Sequence, residues 1–311
     1  MGFLRWLESV RVPALDVLFS GITYFGDELA FLALALLLFW CVDKRTGYYV
    51  FVVGLFGTLA NQFLKIACRI PRPWVLDPEF TIVEAARAAA TGYSFPSGHT
   101  QNAVGTFGAI ALRTKKRWVR WACMALLLLV PVSRMYLGVH TPLDVGVAFL
   151  MALALLAAFY PVFRSDEKTQ KAMPYLLAAG IALAGLFVLY VSSIRADFAP
   201  GSEDESNLSH AVKNAWTLLG AIAGLLAVYF HERRTGGFET RAPLLGQALK
   251  FTLGLALVAG VKAALKPAFY ALLPVGPADC VRYFLVVLLA GCVFPKTFVW
   301  FAKLGQNREA R

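Results

Sequence analysis

Three short polar segments interrupt an otherwise apolar sequence, and each carries side chains that can bind or attack phosphorus. The first segment, residues 65–73, places Arg72 between two prolines. The prolines restrict the backbone on both sides, so the guanidinium is expected to point in one direction, as bidentate phosphate binding requires. Lys65 alone is more typical of a lysine that extends its amine toward water from a helix end. Its pairing with Arg72 favours a shared anion site.

The second segment, residues 94–100, comes directly before an apolar stretch and predicts a helix whose first residue is Pro96. Ser97 and Gly98 would then present free backbone N–H groups at a helix N-terminus, where anions bind readily. Gly98 also permits close approach of an anion to the backbone. His99 follows at the same point. On its own, this segment is equally typical of an ordinary helix start with an incidental histidine.

The third segment, residues 133–144, joins two apolar stretches and contains Arg134, His140 and Asp144. Thr141 is the predicted N-cap of the second stretch. Asp144 follows His140 by four residues, near enough for its carboxylate to hold the imidazole, although an acid at this position also suits a helix start. Arg134 lies among apolar residues and needs an anionic partner, either a protein carboxylate or a ligand phosphate.

The composition indicates that a membrane must position these segments. Of 311 residues, 59% are hydrophobic and only 16% are charged, whereas soluble domains carry roughly 25% charged residues. A soluble fold could not bury so much apolar surface, and a disordered chain needs low hydrophobicity. Five cysteines are too few for a disulfide-stapled domain. The net charge of +11 does not indicate nucleic-acid binding, because the basic residues fall in short clusters between apolar stretches.

The expected fold is an all-α, polytopic membrane bundle with about nine spanning helices. The candidate spans are residues 27–42, 48–66, 97–113, 118–137, 142–164, 173–193, 211–231, 243–265 and 281–301. Residues 1–26 are expected to form an interfacial amphipathic segment. The predicted organisation is this segment, a catalytic core over 27–164, and a four-helix membrane extension over 165–311.

Lysine and arginine concentrate in alternate connections, which predicts the orientation of the chain. They cluster in residues 43–47, 113–120, 164–171 and 231–241 and in the C-terminal tail, so these parts are expected to be cytoplasmic. The loop 194–210 on the other side is acidic. All three polar segments then lie together at the extracytoplasmic face of a bacterial-type plasma membrane.

This convergence assembles three cations, a helix N-terminus, two histidines and one carboxylate. Such a set can neutralise a phosphoryl group, and it contains no metal-ligand spacing, so neither a metal nor another cofactor is expected. One histidine can attack phosphorus while the other protonates the leaving oxygen. The pattern predicts hydrolysis of a phosphomonoester or pyrophosphate through a phosphohistidine.

The three segments also resemble the signature of the type 2 phosphatidic acid phosphatase superfamily: K-x6-RP, PSGH and SR-x5-H-x3-D. Every signature position is present here in the same order and spacing. The resemblance implies that His140 is the nucleophile, Asp144 its orienting partner and His99 the general acid. It further implies that the phosphate is held by a set of five residues: Lys65, Arg72, Ser97, Gly98 and Arg134.

The resemblance covers about half of the chain, and the substrate stays open. The long C-terminal extension is similar to the span plan of sphingosine-1-phosphate phosphatases and of glucose-6-phosphatase. A lipid phosphate or pyrophosphate, whether isoprenoid, glycerolipid or sphingoid, is the expected substrate, and the bilayer is the expected partner. The alternatives are a phosphotransferase, a glucose-6-phosphatase-like enzyme and a non-enzymatic transporter on the same scaffold. The oligomeric state is left open.

Overall fold

The computed structural model describes residues 1–194, 199 and 201–304, and this part of the chain forms helices and no β-strand. The predicted all-α class is confirmed. Parts of two predicted regions, the acidic loop 194–210 and the cytoplasmic tail, fall on residues 195–198, 200 and 305–311, outside this description.

Thirteen α-helices are described, numbered here in chain order. They are α1 (Gly2–Ser9), α2 (Pro13–Thr23), α3 (Glu28–Leu37), α4 (Lys44–Cys68), α5 (Pro73–Leu76), α6 (Gly98–Arg113), α7 (Arg117–Tyr136), α8 (Pro142–Phe159), α9 (Asp166–Ser193), α10 (Glu203–Thr235), α11 (Leu244–Leu272), α12 (Val275–Leu288) and α13 (Phe298–Lys303).

Seven helical segments in the described residues are long and apolar enough to cross a membrane. An eighth is possible if Pro13–Gly26 and Glu28–Val42, which meet at a bend of 53°, form one span. The predicted count of nine is therefore not confirmed. Helix α6 has 16 residues, or about 24 Å at 1.5 Å per residue, which is short of a hydrocarbon core of about 30 Å.

Helix α10 begins inside the region that the sequence predicted to be a loop. The hydroxyl of Ser202 accepts a hydrogen bond from the backbone N–H of Glu205 at 3.1 Å. The Glu205 carboxylate in turn accepts one from the N–H of Gly201 at 2.6 Å. This reciprocal capping starts the helix at Glu203, so the acidic residues form its first turn, where the helix dipole favours them.

The chain separates into two compact units of discontinuous segments. The first comprises Met1–Leu34, Tyr49–Pro161 and Ile194–Ala211, and the second Ala35–Tyr48, Val162–Ser193 and Val212–Arg311. In the first unit, α6 packs against both α7 and α8, and α2 packs against α7. The polar N-terminal turn of α6 is thereby set among the other helices. The domain boundaries expected at residues 26 and 164 remain predictions.

The N-terminal helix α1 is amphipathic, and it docks on the loops of the first unit. Leu4 and Leu7 are buried in an apolar cluster with Phe80, while Phe3 and Trp6 on the other face are exposed. Polar contacts lock the docked face: the Arg5 guanidinium pairs with the Asp77 carboxylate at 2.7 Å, and the Glu8 carboxylate accepts from the N–H of Thr81 at 2.8 Å. Residues 1–26 thus contain two helices, α1 and α2, and α1 braces the loop that follows α5.

The second unit is organised around Trp40. The indole is fully buried, and its N–H donates to the carbonyl of Ala290 at 2.9 Å. The amine of Lys250, also buried, donates to the carbonyls of Trp40 and Thr240 at 2.9 Å each. Phe294 packs on the indole with a centroid distance of 5.1 Å. These contacts let a lysine enter an apolar bundle because its N–H groups find carbonyl acceptors.

Candidate active site

All eight residues predicted to form the site lie in the first unit. Six of them have buried side chains: Lys65, Arg72, Ser97, Arg134, His140 and Asp144. Gly98 and His99 are half-buried at the start of α6. The spacing along the chain is large, yet direct contacts connect the three segments, as the following distances show.

His140 lies in the short turn between α7 and α8. Its Nε2 is 3.0 Å from Nη1 of Arg72, and its Nδ1 is 3.6 Å from Oδ2 of Asp144. A guanidinium has only donors, so Nε2 must carry a lone pair and the proton of the neutral ring must be on Nδ1. The tautomer is thereby set: Nδ1–H faces the carboxylate, and Nε2 is the unprotonated nitrogen, which accepts from Arg72.

The charge around His140 favours the neutral ring. Burial, followed by the positive charges of Arg72, Arg134 and Lys65, holds the pKa of His140 well below its usual range. A neutral imidazole is the form that can attack phosphorus. The site therefore keeps the proposed nucleophile active while it collects positive charge for an anion.

A glycine makes the turn before His140 possible. Gly138 has φ +81°, in the left-handed region that disfavours side chains. A Cβ at this position would lie 2.7 Å from Nη2 of Arg11 and 3.0 Å from the ring of Phe80. Arg11 also donates to the carbonyl of Tyr136 at 2.9 Å. The N-terminal segment therefore packs directly on the turn that carries the histidine.

The Asp144 carboxylate both caps the start of α8 and lies beside the His140 imidazole. Thr141 is the N-cap of α8, as predicted: its hydroxyl accepts from the N–H of Asp144 at 3.2 Å, and the carboxylate accepts from the N–H of Thr141 at 2.7 Å. The same oxygen, Oδ2, accepts from the hydroxyl of Ser94 at 2.6 Å. Ser94 Oγ also lies 3.5 Å from Nδ1 of His140. These bonds fix the carboxylate beside the imidazole.

Arg72 is held rigidly, as the flanking prolines predicted, but its contacts are with the protein. It donates to the carbonyls of Gly92, Val139 and Thr91 at 2.9, 3.0 and 2.6 Å. With the contact to His140, four of the five N–H groups of a guanidinium are directed at protein atoms. Arg72 therefore orients His140, and its second N–H on Nη2 is the one left for an anion.

Lys65 is buried, so it is not a lysine that extends its amine toward water from a helix end. Its amine donates to the carbonyl of Tyr93 at 2.5 Å and lies 3.4 Å from that of Ser94. One turn earlier on α4, the amide of Asn61 donates to the carbonyl of Pro96 at 3.3 Å. Helix α4 thus supports the second polar segment at two points.

Arg134 has the clearest unmet demand for an anion. Its side chain is fully buried, and Nη1 donates to the hydroxyl of Thr23 at 2.7 Å. Nε and Nη2 are buried with no hydrogen-bond partner among the described residues. In the same part of the chain, no carboxylate lies within ion-pair distance of this guanidinium. The charge of Asp27 acts on Arg134 without an ion-pair contact, so Nε and Nη2 are left to meet an anion such as a ligand phosphate.

The second segment starts a helix two residues later than predicted. Ser97, not Pro96, borders the helix: it has extended backbone and accepts from the N–H of Thr100 at 3.4 Å, so α6 begins at Gly98. The prediction that Pro96 is the first helical residue was wrong, because the serine side chain satisfies the cap. A Cβ on Gly98 would meet only Oδ1 of Asn61, at 3.8 Å, so the space beside this helix N-terminus is open.

Three supporting residues were absent from the sequence-based site: Ser94, Asn61 and Thr23. Ser94 adjoins the second segment, and Asn61 stands out as an amide in an apolar helix one turn before Lys65, so both carried a local signal. Thr23 lies 111 residues before its partner Arg134. No spacing along the chain could have connected those two.

The donor set suits an anion better than a metal. Among the described residues, no group of three or more histidine, cysteine, aspartate or glutamate side chains is arranged to hold a metal ion. The site instead combines three buried cations with backbone N–H groups and a neutral imidazole. In a water-poor environment, such fixed donors stabilise charge that develops on phosphoryl oxygens.

Buried cations that can bind an anion, beside an oriented histidine and on spanning helices, are typical of membrane proteins that transfer phosphoryl groups. The PAP2 superfamily matches residues 45–168, and the transmembrane extension of PAP2 superfamily phosphatases matches residues 216–307. The chain belongs to the PAP2 superfamily. The resemblance drawn from the three segments is confirmed.

Characterised relatives act on several lipid phosphates by name. Phosphatidylglycerophosphatase B of Bacillus subtilis is 30% identical over 180 residues, 52% of this chain and 80% of the relative. Undecaprenyl-diphosphatase of the same organism is 29% identical over 147 residues, 45% and 73% of the two chains. Sphingosine-1-phosphate phosphatase 1 of Rattus norvegicus is 27% identical over 190 residues, 58% of this chain. The match spans only 43% of that rat protein. No solved structure gives a significant match.

Proposed function

We propose that this protein is a metal-independent membrane phosphatase that hydrolyses a lipid phosphate or pyrophosphate through a phosphohistidine. The observation that carries the proposal is the geometry of His140: its contact with Arg72 requires Nε2 to be unprotonated, while Nδ1–H faces Asp144. The phosphatase names of the relatives support the same chemistry.

In the first step, Nε2 of His140 attacks phosphorus and the bond from phosphorus to the lipid oxygen breaks. His99, at the N-terminus of α6, gives its proton to that oxygen, and the lipid alcohol or phosphate leaves. The phosphorylated ring keeps its Nδ1 proton, and the Asp144 carboxylate stabilises the positive charge that develops on the imidazole. Arg134 and the N–H groups of Gly98 and His99 bind the phosphoryl oxygens.

In the second step, water attacks the phosphorus of the phosphohistidine. The now neutral His99 accepts a proton from that water, the bond between phosphorus and Nε2 breaks, and phosphate is released. His140 returns to its neutral tautomer and His99 to its protonated form, so the cycle closes. With water as acceptor the enzyme is a phosphatase.

An apolar groove in the first unit supports a lipid substrate. A cavity of about 660 Å³ is lined by Met135, Pro142, Gly146 and Phe149, among others. Met135 follows Arg134 in the chain, and Pro142 comes two residues after His140, so the groove is lined by neighbours of the proposed catalytic segment. Its occupant is inferred to be the hydrocarbon tail of the substrate.

Filling the groove tests this inference. A Cβ at Gly146 meets no atom within 4 Å, so Gly146→Leu can occupy the groove without displacing a neighbour. The substitution should lower kcat/KM for a long-chain lipid phosphate by about tenfold and spare a short-chain analogue. Gly185→Leu, also a helical glycine with open space, is the matched control. Equal effects on both chain lengths would contradict a tail in the groove.

The phosphohistidine has its own test. Purified protein is mixed with a lipid substrate labelled in its phosphate, quenched in alkali, which spares the phosphorus–nitrogen bond, and examined for labelled protein. Label is expected on wild type and absent from His140→Ala. Activity should persist in EDTA, because the donor set has no metal ligands in place. Full activity of His140→Ala would overturn the mechanism, and a need for a divalent ion would overturn metal independence.

The proposal includes an active site at the extracytoplasmic face, supported by the distribution of lysine and arginine along the sequence. The native thiol of Cys68, exposed at the end of α4, reports this directly. In a variant that keeps only this cysteine, an impermeant maleimide should label intact cells. A second variant with its single cysteine at Lys116→Cys should react only after lysis. The reverse pattern would place the site in the cytoplasm.

A further inference from the structure

A polar cavity lies within the second unit. Its volume is about 400 Å³, within the usual size of small-molecule pockets. The walls come from the first turns of α4 and α9, the last turn of α10 and the turn after it. Its charged residues are Lys44, Arg45, Asp166, Glu232 and Arg233.

One carboxylate of the cavity is already neutralised. The Glu232 side chain lies 2.9 Å from the amine of Lys44 and accepts a hydrogen bond from the hydroxyl of Tyr48. It is only 11% exposed. Lys44 is fixed further by the ring of Phe238, whose centroid is 3.8 Å away. This group forms a rigid, nearly neutral wall.

The two arginines are not compensated in the same way. Arg45 faces Asp166 at 3.4 Å, but that carboxylate is 77% exposed, and such pairs contribute little. Nε of Arg45 is buried with no hydrogen-bond partner among the described residues. Arg233 is exposed at the mouth of the cavity. Three cations against two carboxylates leave a net positive charge, carried by guanidinium groups, which suit phosphate.

The turn after α10 is shaped for close approach. Gly236 and Gly237 have φ of +80° and +73°, which only glycine adopts easily. A Cβ on Gly237 would lie 2.7 Å from the amine of Lys44 and 3.2 Å from Oε1 of Glu232. The two glycines therefore bring backbone to the cavity wall without filling the cavity.

We propose that this cavity is a second, non-catalytic site that binds a phosphate-bearing anion, either the headgroup of an anionic lipid or a soluble phosphate. The cavity belongs to the second unit, whereas the proposed phosphatase residues belong to the first. The proposal is independent of the phosphatase function, because the residues that line the cavity include none of the proposed catalytic groups.

Two arms of one experiment distinguish the sources of phosphate, and both use the full-length protein. In neutral detergent, inorganic phosphate is titrated calorimetrically. In nanodiscs, thermal unfolding is compared between phosphatidylcholine alone and its mixture with phosphatidylserine, whose phosphodiester is not a monoester substrate. The variants are Arg45→Gln with Arg233→Gln, and the control Lys168→Gln, which removes an exposed charge from α9 outside the cavity.

If the ligand is soluble, the titration should show a second class of phosphate site. The double variant should bind phosphate at that site about tenfold more weakly, because charge-assisted hydrogen bonds are lost. The inhibition constant of phosphate in the activity assay, which reports the catalytic site, should stay unchanged. A lipid ligand predicts that phosphatidylserine raises the Tm of wild type and Lys168→Gln more than that of the double variant.

The proposal is overturned if the double variant matches Lys168→Gln in both arms. If the double variant fails to fold, Arg233→Gln alone decides, since its exposed side chain can be removed without loss of packing. If the catalytic proposal fails, the activity assay and its inhibition by phosphate will show it. The phosphate titration and the thermal-unfolding comparison do not depend on that proposal.

Discussion

Asp144 offers the sharpest test of the site, because its carboxylate both caps α8 and faces His140, the proposed nucleophile. Asp144→Asn keeps an oxygen that can accept from Ser94 and Thr141, so the helix start should survive. What it removes is the negative charge 3.6 Å from Nδ1 of His140. That charge matters most when phosphorylation makes the imidazole cationic.

The expected magnitude follows from this distance. A unit charge pair at 3.6 Å interacts by about 4 to 5 kcal/mol at an effective dielectric constant of about 20. If that stabilisation is present only once the ring becomes positive, its loss slows the chemical step by about 10³-fold. KM should change little, because the neutral ring of the resting site interacts weakly with the carboxylate.

The assay is phosphate release at saturating lipid phosphate, with the rate of protein labelling measured in parallel. Thr141→Ala is the matched control: it removes the hydroxyl that accepts from the N–H of Asp144 and should cost about 1 kcal/mol of stability. Its kcat should stay within a few-fold of wild type. Refutation would come from a folded Asp144→Asn variant that retains wild-type kcat, or from Thr141→Ala losing as much activity as Asp144→Asn.

Three further outcomes are expected. Gly26→Ala should lower kcat by about tenfold to a hundredfold. Its new Cβ would lie 2.7 Å from the carbonyl oxygen of His99 and 3.0 Å from the Cβ of the same residue. Gly21→Ala is the control and should leave kcat unchanged, because its Cβ would meet no atom within 4 Å. Similar kinetics of the two variants would contradict a positioning role. Arg134→Gln should lower kcat/KM at least about a hundredfold, since two charge-assisted bonds to phosphate are lost; unchanged phosphate inhibition would count against this. Burial and neighbouring cations lower the pKa of His140, so the neutral, reactive ring persists as pH falls, and the acid limb of kcat/KM should lie below about 6.5. A limb above that value would show that the nucleophile titrates normally.

Local signals in the sequence predicted the site residues well where the structure depends on neighbours in the chain. The N-cap at Thr141 was predicted correctly, because a cap is decided within four residues. The same local reasoning wrongly predicted Pro96 as the first helical residue of α6. Proline and serine both favour a helix start, and here the hydroxyl of Ser97 caps the helix. The start of α10 at Glu203 was also open to prediction from Ser202 and its capping partner.

Long-range positions were beyond reach of the sequence. Ser94 bridges to Asp144 across 50 residues, and Thr23 reaches Arg134 across 111. The span count of nine also relied on two stretches that form the short helices α3 and α6, of 10 and 16 residues. Hydrophobicity alone did not predict those lengths. Three distant segments line the cavity in the second unit. From the sequence alone, their basic residues could be interpreted only as signals of membrane orientation.

The docking of the N-terminal helix sets an order of events during synthesis. Arg11 bonds to the carbonyl of Tyr136, 125 residues later, at the turn that carries His140. A ribosome adds about 5 to 20 residues per second, so Arg11 waits about 6 to 25 s before the turn that it bonds exists. Helix α1 can meet Asp77 and Phe80 earlier, but the other members of its apolar cluster, Tyr136, Leu137 and Val139, are missing through that interval. The turn that carries His140 is thus completed late, and a nascent chain that stalls before α7 leaves α1 with only the loop after α5 to dock on.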